Sequence, residues 1–554
     1  MIKQDVKVFT GGTILTMTAD KTAEAVTVEN GVIRCVGTAE ECREAAERLT
    51  HDYEEINLNG QCLVPGLIDA HCHMTMRGRS LLWADISSTK VSCIDDIIKV
   101  LTDHAKDLPA GEPIRGFGFD HRSLKENRYP TAEELDRVAT DRPVQIMHVS
   151  CHVNVLNHYL LNQLGITKDT PNPDGGTIGR NEAGEPNGPL FDSASDYLAD
   201  EFGVEISNHG PNFHTPDTPK NLQKIIELGQ NEFLAHGITT TNDVQVTKQE
   251  MNSYLAARNS GLLKVRVFCS VLSNHLNDLM NLGISSHLGD DKLAITSLKT
   301  YIDGAITAGT AYMSSAYADG MEGHGYLFHE IEEYKNIIIE GHTFGLQTLT
   351  HAQGDAGIQI VLEAIEEAQK KHPRENMRHR IEHSSFATEE QVRKMAELEV
   401  IPVPQPQNFY ERGEELIGAY GKERTSNIIP YGWFKEHGVP VTITSDSPVA
   451  HVNTVQGIYA AVTRKTAKGT YMGGAEHQLT TEEALQAYTI NAAKAIFKED
   501  KIGSIEKGKY ADFAVFDRNP LETDPDDLIN LSITQTWIEG EQVFSKKSSE
   551  IKVG

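Results

Sequence analysis

No stretch of these 554 residues is apolar for long enough to cross a bilayer, none is of low complexity, and no internal repeat of fixed period is visible. The amino terminus, MIKQDVKVFTGGTIL, lacks the long apolar core and small-residue cleavage site of a signal peptide. The expected address is the cytoplasm, with no membrane partner. Disulfide spacing is missing as well. Seven cysteines, an odd number, are spread without a CxxC pair, which argues against a disulfide framework. Positive charge is scarce: a formal net charge of -28 repels phosphates and argues against a nucleic-acid partner, and it reads as a solvated acidic surface. There is no GxSxG elbow to suggest a serine nucleophile.

What is present is an ordinary globular composition, 39% apolar and 23% charged, in a chain long enough for a large core. The two ends read alike. VTVENGVIRCVG alternates on both sides of Asn30-Gly31, a strong hairpin signal, and TQTWIEGEQVF makes a second hairpin at Glu539-Gly540 after the strand KYADFAVFD. Each end is too thin to bury a sheet, so residues 1–62 and 497–554 are expected to share one small β-sandwich. Between them, the strands LAITSLKTYID, FGLQTLTHA, MRHRIEH, EVIPVPQP and VPVTITSD alternate with helical patterns such as DAGIQIVLEAIEEAQKK and TEEQVRKMAELE. Repeated strand–helix units over 63–496 predict an α/β fold, a closed (β/α)8 barrel. Residues of about 77–235 are less regular and include the Gly- and Pro-rich PNPDGGTIGRNEAGEPNGP. They read as an insertion of loops and a hairpin capping the barrel mouth.

Chemistry collects at strand ends. In VPGLIDAHCHM, residues 64–74, alternation puts His71 and His73 on one face and Cys72 on the other, toward the barrel wall. Lys299, His351, His383 and Asp446 each sit at or near the carboxyl end of a later strand, the end that carries the active site in such barrels. One strand-end histidine is commonly just a hydrogen-bonded residue; the joint pattern is harder to dismiss. Imidazole and carboxylate ligands suit zinc and also permit manganese, iron or nickel. A bound ion can lower the pKa of water from about 15.7 to about 7. Lys299 has two readings. It is either a carbamate bridging two ions, or an ordinary ammonium that reaches solvent or pairs with Asp303.

Taken in order, these motifs resemble amidohydrolase family three of the amidohydrolase superfamily, best known for deformylation of N-substituted formamides. VPGLIDAHCH is similar to the first-strand metal motif, LKTYIDGAITAGTA to the fourth-strand lysine with its Asp-Gly pair, and HAQGDAG to the fifth-strand motif. RHRIEH, TSDSPV, and LTTEEALQAYTINAAKAIF followed by GSIEKGKYADFAVFD complete the resemblance over most of the chain. It implies that His71 and His73 bind one metal shared with Asp446, that His351 and His383 bind a second, and that carboxylated Lys299 bridges them. Asp446 becomes the proton shuttle. HVSCHVNVLNH resembles a His-x-x-x-x-Asn segment near the substrate, through His152 and Asn157, with Asp303 a further substrate candidate. His121 and Trp433 read as packing or surface residues before pocket residues, and Gln405, Asn408 and Phe409 are unranked selectivity candidates on loops. The implied function is metal-dependent hydrolysis of a non-peptide C–N bond in a small molecule, an amide or N-formyl amine, with one or two zinc ions. Cyclic deamination, ester hydrolysis, hydration or decarboxylation on the same fold, or a non-catalytic scaffold, are the rival expectations. A homodimer is a family expectation.

Overall fold

Strands from opposite ends of the chain lie side by side. The computed structural model describes residues 5–173, 175–198, 206–215, 217–318 and 324–546. Residues 1–4 and 547–554 of the expected sandwich, and 174, 199–205 and 216 of the expected insertion, lie outside that description. One terminal sheet holds Val6–Thr10, Ala25–Glu29, Val32–Gly37 and Glu54–Asn57. The other holds Thr13–Leu15, Thr22–Ala23, Cys62–Pro65, Phe513–Phe516, Ile533–Ile538 and Glu541–Ser545. Phe9, Val26, Val28 and Ile33 share a core with Phe513, Val515 and Trp537. Both hairpin turns use left-handed pairs, Asn30-Gly31 (φ 48° and 80°) and Glu539-Gly540 (φ 51° and 71°).

Cys62–Pro65 pairs with Phe513–Phe516, so the chain enters the barrel at Gly66 and not between 62 and 63. The crossing is tight: a Cβ at Gly66 would lie 2.2 Å from Thr239 Oγ1. The apolar run VPGLID is therefore divided between two sheets.

Seven parallel strands form the barrel, in neighbour order Leu67–Cys72, Ile238–Val246, Arg266–Leu272, Leu293–Tyr301, Gln347–Ala352, Arg380–His383 and Ile401–Val403. The eighth expected strand, VPVTITSD, departs from the expectation. It runs extended in the gap between the seventh strand and the first but forms no regular ladder. Pro402, Pro404 and Pro440 have no N–H to donate, which explains the loss. Side chains and isolated bonds close the gap instead: Thr442 Oγ1 donates to Pro402 O (2.9 Å), Thr444 N to Pro404 O (3.2 Å) and Asp446 N to His71 O (2.9 Å).

The insertion is more ordered than its sequence suggests. It carries a six-stranded sheet, in neighbour order Gly176–Arg180, Pro186–Asp192, Val153–Leu156, Val144–His148, Ile114–Phe119 and Ala84–Asp85. Ile97, Leu101, Ile114, Phe119, Val144 and Ile146 give it a core of its own. Among the described residues, no helix is long and apolar enough to cross a membrane.

The amino end of the sixth barrel strand is fastened by histidines. His379 Nδ1 accepts from Thr348 N (3.0 Å), and its Nε2 lies 2.9 Å from His342 Nδ1. Burial, then His342, pushes the His379 pKa down to about 3 from 6.5. The unfolded chain therefore binds this proton first as pH falls. Stability is expected to drop between about pH 6.5 and about pH 3, by a few kcal/mol from this group. Melting temperature against pH checks it: the slope should flatten in His379→Gln, and an unchanged slope refutes the assignment.

Candidate metal and active site

The carboxyl ends of the barrel strands bring the predicted donors together. His71 Nε2 and His73 Nε2 lie 3.2 and 3.3 Å from the same oxygen, Asp446 Oδ1. A tetrahedral ion with bonds of about 2.0–2.1 Å separates its ligand atoms by about 3.3 Å, so each imidazole stands from Asp446 at the spacing of such an edge. The His383 ring centre is 5.0 Å from that of His71 and 4.3 Å from that of His351. Cys72 points the other way, its Sγ 3.6 Å from Asn242 O in the wall.

What stands behind each imidazole decides which nitrogen is free. His71 Nδ1 is hydrogen-bonded to Glu382, His73 Nδ1 to Val244 O at 2.7 Å, and His383 Nδ1 to Gln405 Oε1 at 2.6 Å. All three partners are acceptors, so each Nδ1 carries a proton and Nε2 is the nitrogen that would face an ion. Burial holds His73, His351 and His383 below the ordinary imidazole value. At His71, burial and Lys299 act in the same direction, but Glu382 and Asp446 outweigh them.

Glu382 was not anticipated. It accepts two bonds from Arg380, each 2.8 Å, and Arg380 also donates to Asn242 Oδ1 (2.8 Å) and Ala70 O (2.7 Å). Both charged side chains are fully buried. The signal was present in RHRIEH: two opposite charges two residues apart in a buried strand share a face and must pair. Asp69 was likewise missed. It accepts from Ser445 N at 3.1 Å and from Ser445 Oγ, tying the first strand to the irregular eighth segment.

Lys299 is enclosed. Its Nζ is buried without a hydrogen-bond partner, 4.3 Å over the Tyr301 ring. It reaches neither solvent nor Asp303, whose carboxylate accepts from Tyr312 N (2.9 Å), Gln353 N (3.0 Å) and Gly354 N (2.8 Å). Burial lowers the Lys299 pKa to about 8. An orphaned, easily neutralised amine beside imidazole and carboxylate donors fits a metal centre.

His383 and Asp446 both adopt left-handed backbone, φ 72° and 57°, which non-glycine residues rarely do. The cavity between the donors is about 30 Å³ and is lined also by His152, Tyr301, Phe213 and Asn408.

Several expectations need correction. Asn157 is a helix cap with every polar position used: Oδ1 accepts from Leu160 N and Val144 N (both 3.1 Å), and Nδ2 donates to Ala139 O (2.9 Å) and Arg142 O (3.0 Å). It has nothing left to offer a substrate. Asp303 lies behind His351, 4.0 Å from its Nε2, and fixes backbone. Gln405 orients His383, and Phe409 is core. Trp433, by contrast, takes the packing role expected of it, against His477 with ring centres 5.0 Å apart. His121 faces Asp120 and His148 instead of the cavity. His152 does line it, with Nδ1 held by Asp192 Oδ1 at 2.6 Å.

Residues 54–544 match the model of the amidohydrolase family. The chain belongs to that family. This makes it by class a metal-dependent hydrolase of the amidohydrolase superfamily. It is 29% identical to the N-substituted formamide deformylase of Arthrobacter pascens, over 95% of this chain and 96% of that one. It is 30% identical to YtcJ of Bacillus subtilis (strain 168), a protein named only as an amidohydrolase, over 97% and 99% of the two chains. The fold matches that of a metal-dependent hydrolase from Pyrococcus horikoshii OT3 with a TM-score of 0.77 at 24% identity, covering 94% of this chain and 99% of that one.

Proposed function

We propose that this family member hydrolyses a non-peptide C–N bond, an amide or N-formyl amine, in a small molecule. His71, His73, His351, His383, Asp446 and Lys299 would hold one or two divalent ions, zinc first among them. The reading rests on the convergence of His71 Nε2 and His73 Nε2 on Asp446 Oδ1, at 3.2 and 3.3 Å, beside the unpartnered Lys299 amine. A deformylase matched along nearly the whole chain favours the C–N bond.

A divalent ion supplies Lewis acidity and a more acidic water at such a site. The chain's own residues do the rest. Burial alone would raise the Asp446 carboxyl, but His71 and His73 hold it well below the usual range, so it stays ionised. It takes a proton from the attacking water and passes it to the leaving nitrogen. With Nδ1 committed to Asp192, His152 offers Nε2 to the substrate. The low pKa of Lys299 keeps some amine neutral near pH 8. That amine can add to the carbon of carbon dioxide, forming an N–C bond and releasing one proton, to give the anionic carbamate.

A screen of N-acyl and N-formyl amines, with and without added zinc or manganese, tests the proposal. An amine plus formate or another acid is the expected pair of products. Ammonia released from a ring would replace the proposal with deamination. His71→Ala should abolish turnover in a folded protein, and wild-type rates in that variant would remove this centre from the reaction.

A further inference from the structure

The capping insertion holds a second group of donors that the proposed reaction does not use. Strands Ile114–Phe119 and Val144–His148 are parallel neighbours, and Phe119 lies opposite His148. Asp120 and His121 therefore leave one strand end directly beside the last residue of the other.

We propose that Asp120, His121 and His148 form a second divalent-cation site, in the insertion and separate from the barrel centre. His121 Nδ1 is 3.3 Å from His148 Nε2, and Asp120 Oδ1 is 3.7 Å from His148 Nε2 and 3.9 Å from His121 Nδ1. Ligands of a tetrahedral first-row ion stand about 3.3–3.6 Å apart, so a small inward movement of Asp120 completes the set. Three protein donors leave the fourth position open, on the side where Asp120 and His121 are partly exposed (19% and 16%). Burial keeps both imidazoles below their ordinary value, hence neutral and able to ligate. Tyr129 stacks on His121, ring centres 4.1 Å apart, and fixes its plane. Two charges oppose a cation: Arg122, which acts on His121, and Arg412, which donates to Val449 O (3.0 Å) and acts on both Asp120 and His148. The Asp120 carboxylate offsets part of that charge, held well below the usual range by His148 and by the Arg122 backbone N–H despite its burial.

The site carries a built-in signature. Without an ion, His148 Nδ1 accepts from Ser150 N (3.1 Å), and Nε2–H points at His121. With an ion on Nε2, the proton moves to Nδ1 and is donated to Ser150 Oγ, 2.8 Å away, and Ser150 N gives up its bond to Nδ1. Ser150 lines the barrel cavity, so its hydroxyl hydrogen is then released toward that cavity. A cation in the insertion thus reverses one hydrogen bond at the wall of the catalytic space.

This inference does not depend on the proposed reaction. The full-length protein, saturated with zinc and freed of excess, is assayed for metal per chain. His121→Ala and Asp120→Asn should each hold one equivalent less than wild type while melting normally. His71→Ala should lose zinc from the barrel and keep this equivalent. Nitrogen NMR of the histidines should show the His148 tautomer switch on zinc addition in wild type and not in His121→Ala. Equal zinc in wild type and both insertion variants, with an unchanged His148 tautomer, would show that the two imidazoles are only a hydrogen-bonded pair.

Discussion

Asp446→Asn is expected to lower kcat by about 10²–10⁴-fold, the usual share of a general acid–base group. The amide has the size of the carboxylate but cannot take up a proton. It also loses the charge toward which His71 Nε2 and His73 Nε2 converge at 3.2 and 3.3 Å. Two losses therefore overlap, and metal content must be measured on the same sample. If zinc is retained and kcat falls while KM changes little, proton transfer is the missing function. If zinc is lost in step with kcat, Asp446 acts first as a ligand. Turnover within a few-fold of wild type would refute both roles.

Glu382→Gln carries the second large effect, and it falls on two properties at once. The carboxylate accepts from His71 Nδ1 and from two Arg380 nitrogens. A glutamine has one acceptor oxygen, and its amide nitrogen must face a donor. Arg380 then keeps Asn242 Oδ1 and Ala70 O but loses the Glu382 counter-charge in a fully buried place. Breaking a buried ion pair in this way costs about 3–5 kcal/mol. Loosening the group behind a metal-binding imidazole lowers metal affinity by about 10–100-fold. Denaturant unfolding and zinc titration read the two separately. Wild-type stability together with wild-type zinc affinity would show that the pair is idle.

Much of this was legible in local pattern. HCH at the end of an apolar strand marks a face by alternation alone, and the Asn30-Gly31 and Glu539-Gly540 turns follow from the residues that tolerate left-handed backbone. The lysine, histidines and aspartate at later strand ends needed only the barrel rule. Other readings failed for identifiable reasons. Asn157 has the chemistry of a substrate ligand, yet four backbone groups claim it first. The eighth strand was inferred from its apolar residues, but the prolines opposite it supply no donors.

By itself, then, the sequence determined the barrel, the terminal strands that pair across it and which histidines, lysine and aspartate stand at the strand ends, because strand period and turn chemistry act between near neighbours. Only the tertiary structure decided that Glu382 stands behind His71 across 311 positions, that Lys299 Nζ has no hydrogen-bond partner among the described residues, and that Asp120, His121 and His148 meet in the insertion. Those facts depend on which strands lie side by side and on what each buried polar atom finds within about 3 Å, and no periodicity along the chain records either.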